Sequence, residues 1–267
     1  MPIKFSAHLD TLLPNLTPEA RLRTLAGMGF TGVELWGHWN YPVPALARAA
    51  VAAGVTVAAL VTELIPLTDH ESHDAYLAGL KRAIAAAKIL NCRTIISQVG
   101  NRREGVREAE QRQAIVDGLR AAAPLLEAAE LTLVIEPLNV LVDHPGYFLT
   151  GSGDAAEILA EVASPAVRML FDIYHQQISE GNLINNITRY LPYIGHFHFA
   201  DHPGRHQPGT GEINFANVFR AIAASSYDGW VGMEFWPQGE QPKVLEQFRR
   251  EFMFWSQWHY GWLSATP

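Results

Sequence analysis

GHFHFADHPGRHQPGTGEINF, residues 195–215, begins as a short apolar run carrying two histidines, then breaks into glycine, proline, histidine and a single arginine. The run reads as a buried strand and the break as a loop. Ile213, Asn214 and Phe215 lead into the next helix. His198 falls where the strand should stop. At such an edge the strand fixes a side chain while the loop leaves it accessible, so ligands and substrate-binding groups belong there.

The same strand, loop and helix recur outward from this stretch in both directions. Short β-branched runs predict strands over residues 3–7, 32–36, 56–61, 94–97, 132–136, 168–172, 194–199 and 230–235. Longer amphipathic runs predict helices up to about residue 28, then over 44–53, 72–90, 107–129, 153–162, 183–191, 215–224 and 242–258. Thr17 caps the first helix, with Pro18 at its first position and Glu19 in its first turn. Gly29 and Gly54 stop the first two helices. Eight strand–helix units without an obvious linker predict a parallel sheet with helices outside it. Eight units in this length predict a closed (β/α)₈ TIM barrel forming a single domain over residues 1–267. An open doubly wound sheet usually has fewer units and often a glycine-rich phosphate loop after strand one. Here AHLDTLLPNLTPEA, residues 7–20, has no such loop.

Composition narrows the partners. The formal charge of −7 argues against a nucleic-acid partner, which usually needs a basic face. The single cysteine, Cys92, excludes an internal disulfide and a cysteine zinc site. It fits a cytoplasmic setting, where thiols stay reduced. The opening MPIKFSAHLD has no apolar core of a secretory signal, and charges interrupt the alanine-rich stretches, so no membrane span is expected. Phe248, Phe252 and Trp255 share a helical spacing, which predicts packing on the barrel or on a second copy in a homo-oligomer.

A TIM barrel carries its chemistry at the C-terminal strand ends. Those ends hold His8, Glu34, Glu136, Asp172, His198 and Glu234. Strand side chains alternate, so one inward residue from each last turn can converge on the axis. Glu136 closes TLVIE, Asp172 closes RMLFD, His198 lies in HFHF and Glu234 lies in VGMEF. A lone acid after a strand is commonly a cap or a surface charge, and a lone histidine in HFH a core residue. Four such residues on four consecutive strands are hard to explain that way. Three carboxylates and an imidazole in an apolar barrel repel one another unless a cation compensates. The oxygen-rich set suits one divalent ion, Mn²⁺ or Mg²⁺ above all, with Co²⁺, Fe²⁺ and Zn²⁺ also able to fit. No organic cofactor is expected. His175 is placed to reach a substrate oxygen. Arg205, the only arginine in its loop, is placed to fork onto a substrate carboxylate or hydroxyl. His196 reads as a supporting group one step deeper. His8 and Glu34 are open between pocket and scaffold. Trp36, Trp39, Phe235 and Trp236 are candidates for a pocket wall.

IEPLN (135–139), FDIYHQQISEGNLI (171–184), PGRHQPGTGEINF (203–215) and MEF (233–235) resemble the hydroxypyruvate isomerase family of the xylose isomerase-like barrels. The resemblance runs from strand one to the last helix. It implies a metal held by Glu136, Asp172, His198 and Glu234, with Glu136 and Glu234 as the acid/base pair and His175 and Arg205 on the substrate. The implied substrate is a small sugar or oxo-acid with an α-hydroxy-carbonyl group, of the hydroxypyruvate/tartronate semialdehyde type. The implied chemistry is proton transfer through a cis-enediolate. One position departs: these isomerases commonly carry Gln where this chain has His198. A His there is usual in the related ketose 3-epimerases of the D-tagatose/D-psicose type, which makes 3-epimerisation the alternative. An endonuclease IV-like phosphodiesterase shares the barrel but needs more histidine ligands and a basic surface. A non-catalytic sugar-binding barrel would not need the glutamate pair.

Overall fold

The computed structural model describes residues 2–253. Eight strands form the barrel: β1 (Lys4–His8), β2 (Gly32–Gly37), β3 (Thr56–Val61), β4 (Thr94–Ser97), β5 (Thr132–Ile135), β6 (Val167–Asp172), β7 (Ile194–Phe199) and β8 (Trp230–Met233). They pair in parallel in chain order, and β8 closes onto β1. Helices α1 (Pro18–Gly27), α2 (Val43–Ala53), α3 (His73–Leu90), α4 (Glu108–Ala129), α5 (Ser152–Val162), α6 (Ile173–Ser179), α7 (Leu183–Tyr190), α8 (Phe215–Ala224) and α9 (Gln241–Phe248) surround it. The expected TIM barrel is therefore the fold.

The local signals act as anticipated. Thr17 accepts from the Ala20 amide at the start of α1, and Gly54 ends α2 at φ 70°. Two strands stop earlier than expected. β5 ends before Glu136 because Pro137 follows, and proline can neither donate to the ladder nor leave its predecessor unconstrained. β8 ends at Met233, whose partners are Ala7 of β1 and Phe199, the last residue of β7. After β6 the structure has two helices rather than one. The additional helix, α6, starts directly at the strand end. α9 passes into one wide turn over Arg249–Met253, and the remainder of the expected helix, Trp255 included, lies outside the described residues.

Most of the apolar core lies between strands and helices. Phe5 meets Phe199, Phe219 and Phe248 at ring distances of 5.9, 5.2 and 5.1 Å. Phe252 reaches Phe219 at 5.4 Å, so Phe248 and Phe252 pack on this core. Each such ring contributes roughly 1.5–3 kcal/mol by leaving water. A smaller cluster fills the barrel itself: Ala59, Val61, Ile96, Val134 and Leu170. With a period of two, the next inward positions are Glu136 after Val134 and Asp172 after Leu170. The interior is lopsided. It is apolar along β3 to β6, while β7, β8, β1 and β2 turn His196, His198, Gly232, Ser6 and Glu34 to the same region. Among the described residues no helix is long and apolar enough to cross a membrane. Cys92 is buried, and burial raises its thiol to about 12, so it stays an inert thiol.

Candidate active site

Inward parity and strand ends bring four expected residues together. Glu136, Asp172, His198 and Glu234 each offer a ligand atom, and these atoms lie within 4.8 Å of one another. Asp172 and His198 sit side by side as ladder partners of β6 and β7. His198 Nδ1 lies 3.5 Å from Glu234 Oε2 and 3.9 Å from Glu136 Oε1. All four residues are buried, at 1–6% exposure, so water cannot screen their charges.

That crowding shows in the titration behaviour. Burial, with Glu234 as the nearest like charge, pushes the Glu136 carboxyl well above the usual carboxylate range. Burial raises Asp172 as well, against the pull of Arg205. Burial also opposes ionisation of Glu234, but Arg205 and His198 outweigh it and hold that carboxyl well below its ordinary value. Burial works against a charged His198, yet Glu34 and Glu234 raise it well above the ordinary imidazole range. The cluster thus keeps protons on groups that would hold a cation equally well. Glu136 Oε1 and both ring nitrogens of His198 are buried without a hydrogen-bond partner. Partnerless buried donor atoms, three carboxylates and one imidazole fit a divalent ion.

The cluster floors a cavity of about 370 Å³ whose wall includes Trp36, Trp39, His144, His175, Arg205 and Trp236. Phe235, expected in this wall, instead points the other way. It is fully buried and meets Phe199 at 5.9 Å, because it is one residue out of phase with Glu234. Arg205 lies between the rings of Tyr174 and Trp236, 5.3 and 5.2 Å from their centres. Its Nη2 donates to Glu234 Oε2 at 2.6 Å, while Trp36 Nε1 donates to Glu234 Oε1 at 2.6 Å. Both oxygens of one glutamate are thus fixed by donors from opposite sides. Arg205 Nε is buried without a hydrogen-bond partner.

His175 lies both at the start of a helix and in the pocket wall. Asp172 Oδ1 caps α6 by accepting from the Tyr174 and His175 amides at 2.7 and 3.3 Å. The ring of His175 then enters the cavity, where burial and Arg205 keep it neutral by lowering it well below the ordinary value. Its Nδ1 meets Asn139 Nδ2 at 2.7 Å, which leaves Nε2 without a partner. Asn139 was not singled out from the sequence, although it ends the IEPLN motif. Neither were Asp143, which accepts from Asn139 Nδ2 and the Tyr174 hydroxyl, nor His144. His196 and Glu34 form a buried pair at 2.9 Å beneath His198.

The family model for the xylose isomerase-like TIM barrel matches residues 22–254. A human protein named putative hydroxypyruvate isomerase is 35% identical over 266 residues, covering 93% of this chain and 95% of its own length. The chain belongs to the hydroxypyruvate isomerase family of xylose isomerase-like barrels. Within that family it is also similar to the Escherichia coli hydroxypyruvate isomerase, 34% identical over 252 residues, with 88% of this chain and 94% of that one covered. These names support an isomerase. Among solved structures, a Brucella melitensis protein titled AP endonuclease, family 2, superposes with a TM-score of 0.89 at 27% identity, covering 94% of this chain and 100% of that one.

The loop after β7 is tied down by one residue. Asp201, fully buried, accepts from the amides of His202, Gly209, Gly211 and Ile213 at 2.8–3.1 Å. A side chain on Gly211 would come within 2.1 Å of the His202 carbonyl oxygen, so only glycine fits there. The loop holds Arg205 at φ 56°, a left-handed conformation that a free arginine rarely adopts. Charge-assisted hydrogen bonds are worth about 1.5–3 kcal/mol each, partly recovered by water once the loop opens. Asp201→Ala is therefore expected to lower unfolding stability by about 3 kcal/mol in a urea titration. An unchanged midpoint would show that the loop does not depend on Asp201.

Proposed function

We propose that this chain is a divalent metal-dependent isomerase of small α-hydroxy-carbonyl acids, of the hydroxypyruvate/tartronate semialdehyde type. The carrying observation is the convergence of Glu136, Asp172, His198 and Glu234 within 4.8 Å at the floor of a pocket whose wall supplies Arg205. These four residues would hold the ion, and a bound divalent cation supplies a Lewis acid for negative charge developing on the substrate's oxygens. The protein's own groups do the rest. Arg205 presents a guanidinium, a shape suited to a carboxylate, beside the glutamate it anchors. Glu234, held ionised, is ready to accept the proton from the carbon bearing the hydroxyl. Glu136 faces it across the cluster and would return a proton to the neighbouring carbon. His175, neutral and partnerless at Nε2, is placed to bond a substrate oxygen. Trp36 walls the site from the inside, with Trp39 and Trp236 at its more exposed rim.

Ketose 3-epimerisation is the second reading. His198 favours it, as does a cavity of about 370 Å³, roomier than a three-carbon acid requires. The acidic chain weighs against phosphodiester cleavage. Steady-state rates with Mn²⁺ on hydroxypyruvate and on D-tagatose separate the first two. Arg205→Gln is expected to lower kcat/KM for hydroxypyruvate by about 10–100-fold, the worth of one charge-assisted contact, and to affect the ketose less. Equal losses on both, or faster turnover of the ketose by the unaltered protein, would favour the epimerase.

A further inference from the structure

Glu34, His196 and His198 form a second group whose ligand atoms lie within 4.8 Å of one another. Two roles are open to such a group: a second ion site, or a support for the first. Glu34 Oε2 takes both imidazoles by the same ring position, Nε2 of His196 at 2.9 Å and Nε2 of His198 at 3.4 Å. We infer that Glu34 is a positioning residue: it turns His198 so that Nδ1 faces the carboxylates of Glu136, Asp172 and Glu234.

A neutral imidazole carries its proton on one nitrogen and its lone pair on the other. When an ion takes the place of one ring proton, a carboxylate beside Nε2 favours the remaining proton there, which leaves the lone pair on Nδ1. Nδ1 is the nitrogen that points at Glu234 Oε2 and Glu136 Oε1, 3.5 and 3.9 Å away. Glu34 Oε2 is hydrogen-bonded to His196 Nε2 at 2.9 Å and lies 3.4 Å from His198 Nε2, a setting that suits an acceptor behind the rings rather than an ion's ligand. The packing is built around this arrangement. Glu34 and His196 are 0–1% exposed, and a side chain on Gly232 would lie 1.9 Å from Glu34 Oε1 and 2.6 Å from His198 Cδ2. Glycine at that point of β8 makes the room in which Glu34 and His198 meet. Carboxylates behind a metal-binding histidine typically change metal affinity 10–100-fold when removed.

This inference rests on the proposal that the four-residue cluster holds a divalent ion. Calorimetric titration of Mn²⁺ into metal-stripped protein tests both separately. The unaltered chain is expected to bind one ion, and Glu34→Gln to bind it about 10–100-fold more weakly. In a His198→Ala background, Glu34→Gln should change affinity by less than about twofold, because Glu34 acts through that ring. A purely structural role would instead weaken both backgrounds alike. Two ions per chain, or a Glu34→Gln affinity within twofold of the unaltered protein, would overturn the inference. Absence of any Mn²⁺ binding by the unaltered chain would overturn the metal reading beneath it. If Glu34→Gln yields no folded protein, Glu34→Asp takes its place, with an affinity loss expected and an unchanged affinity contradicting the role.

Discussion

Glu136→Gln and Glu234→Gln are each expected to lower kcat by about 10²–10⁴-fold, the usual contribution of a positioned acid or base. The two variants should part company in stability. Glu136 already retains a proton in the metal-free protein, because burial and Glu234 hold its carboxyl up. An uncharged amide of the same shape replaces it at little cost. Glu234 is ionised and anchors Arg205 Nη2 at 2.6 Å, with His198 beside it. Gln there leaves a guanidinium that is only 14% exposed without its main partner. Breaking one side of a buried pair costs about 3–5 kcal/mol. Metal-free Glu234→Gln should therefore melt well below metal-free Glu136→Gln. Full turnover by either variant would remove the two-glutamate mechanism. Equal melting temperatures would contradict the assigned charge states.

The second large effect is expected from metal removal. EDTA should abolish turnover, and Mn²⁺ should restore it. An ion at 100 times its dissociation constant adds about 2.7 kcal/mol to folding stability. For a domain of this size that corresponds to roughly 5–10 °C in Tm. The pH dependence has a definite sign. A bound ion must displace the proton held by Glu136, whose carboxyl is raised to about 8. Mn²⁺ affinity should therefore rise with pH up to that value and weaken below it. Affinity independent of pH over that range would show that Glu136 is not a ligand. Activity that survives in stripped protein would end the Lewis-acid role.

The metal-ligand candidates were legible because a barrel converts chain order into geometry. Val134 then Glu136, and Leu170 then Asp172, are steps of two along strands whose ends must converge. What the sequence did not disclose depends on ring closure. Trp36 and Glu234 are 198 residues apart, and only the pairing of β8 with β1 brings their strands near each other. Glu34 could be placed at a strand end but not given a partner, since its partners arrive from β7 and its space from Gly232 of β8. Helix α6 is seven residues long, too short to show a period, and its cap is Asp172, which had already been read as a ligand. Asp143, Asn139 and Asp201 resemble ordinary loop residues in the sequence. Their hydrogen bonds to the pocket and its loop appear only once the loops fold back over the barrel.

The most direct test of proton transfer between two glutamates is NMR of the Mn²⁺-loaded protein turning over hydroxypyruvate in D₂O. The expected product is tartronate semialdehyde carrying solvent deuterium on the carbon that receives the proton. Product formed with the substrate's own hydrogen fully retained would contradict it.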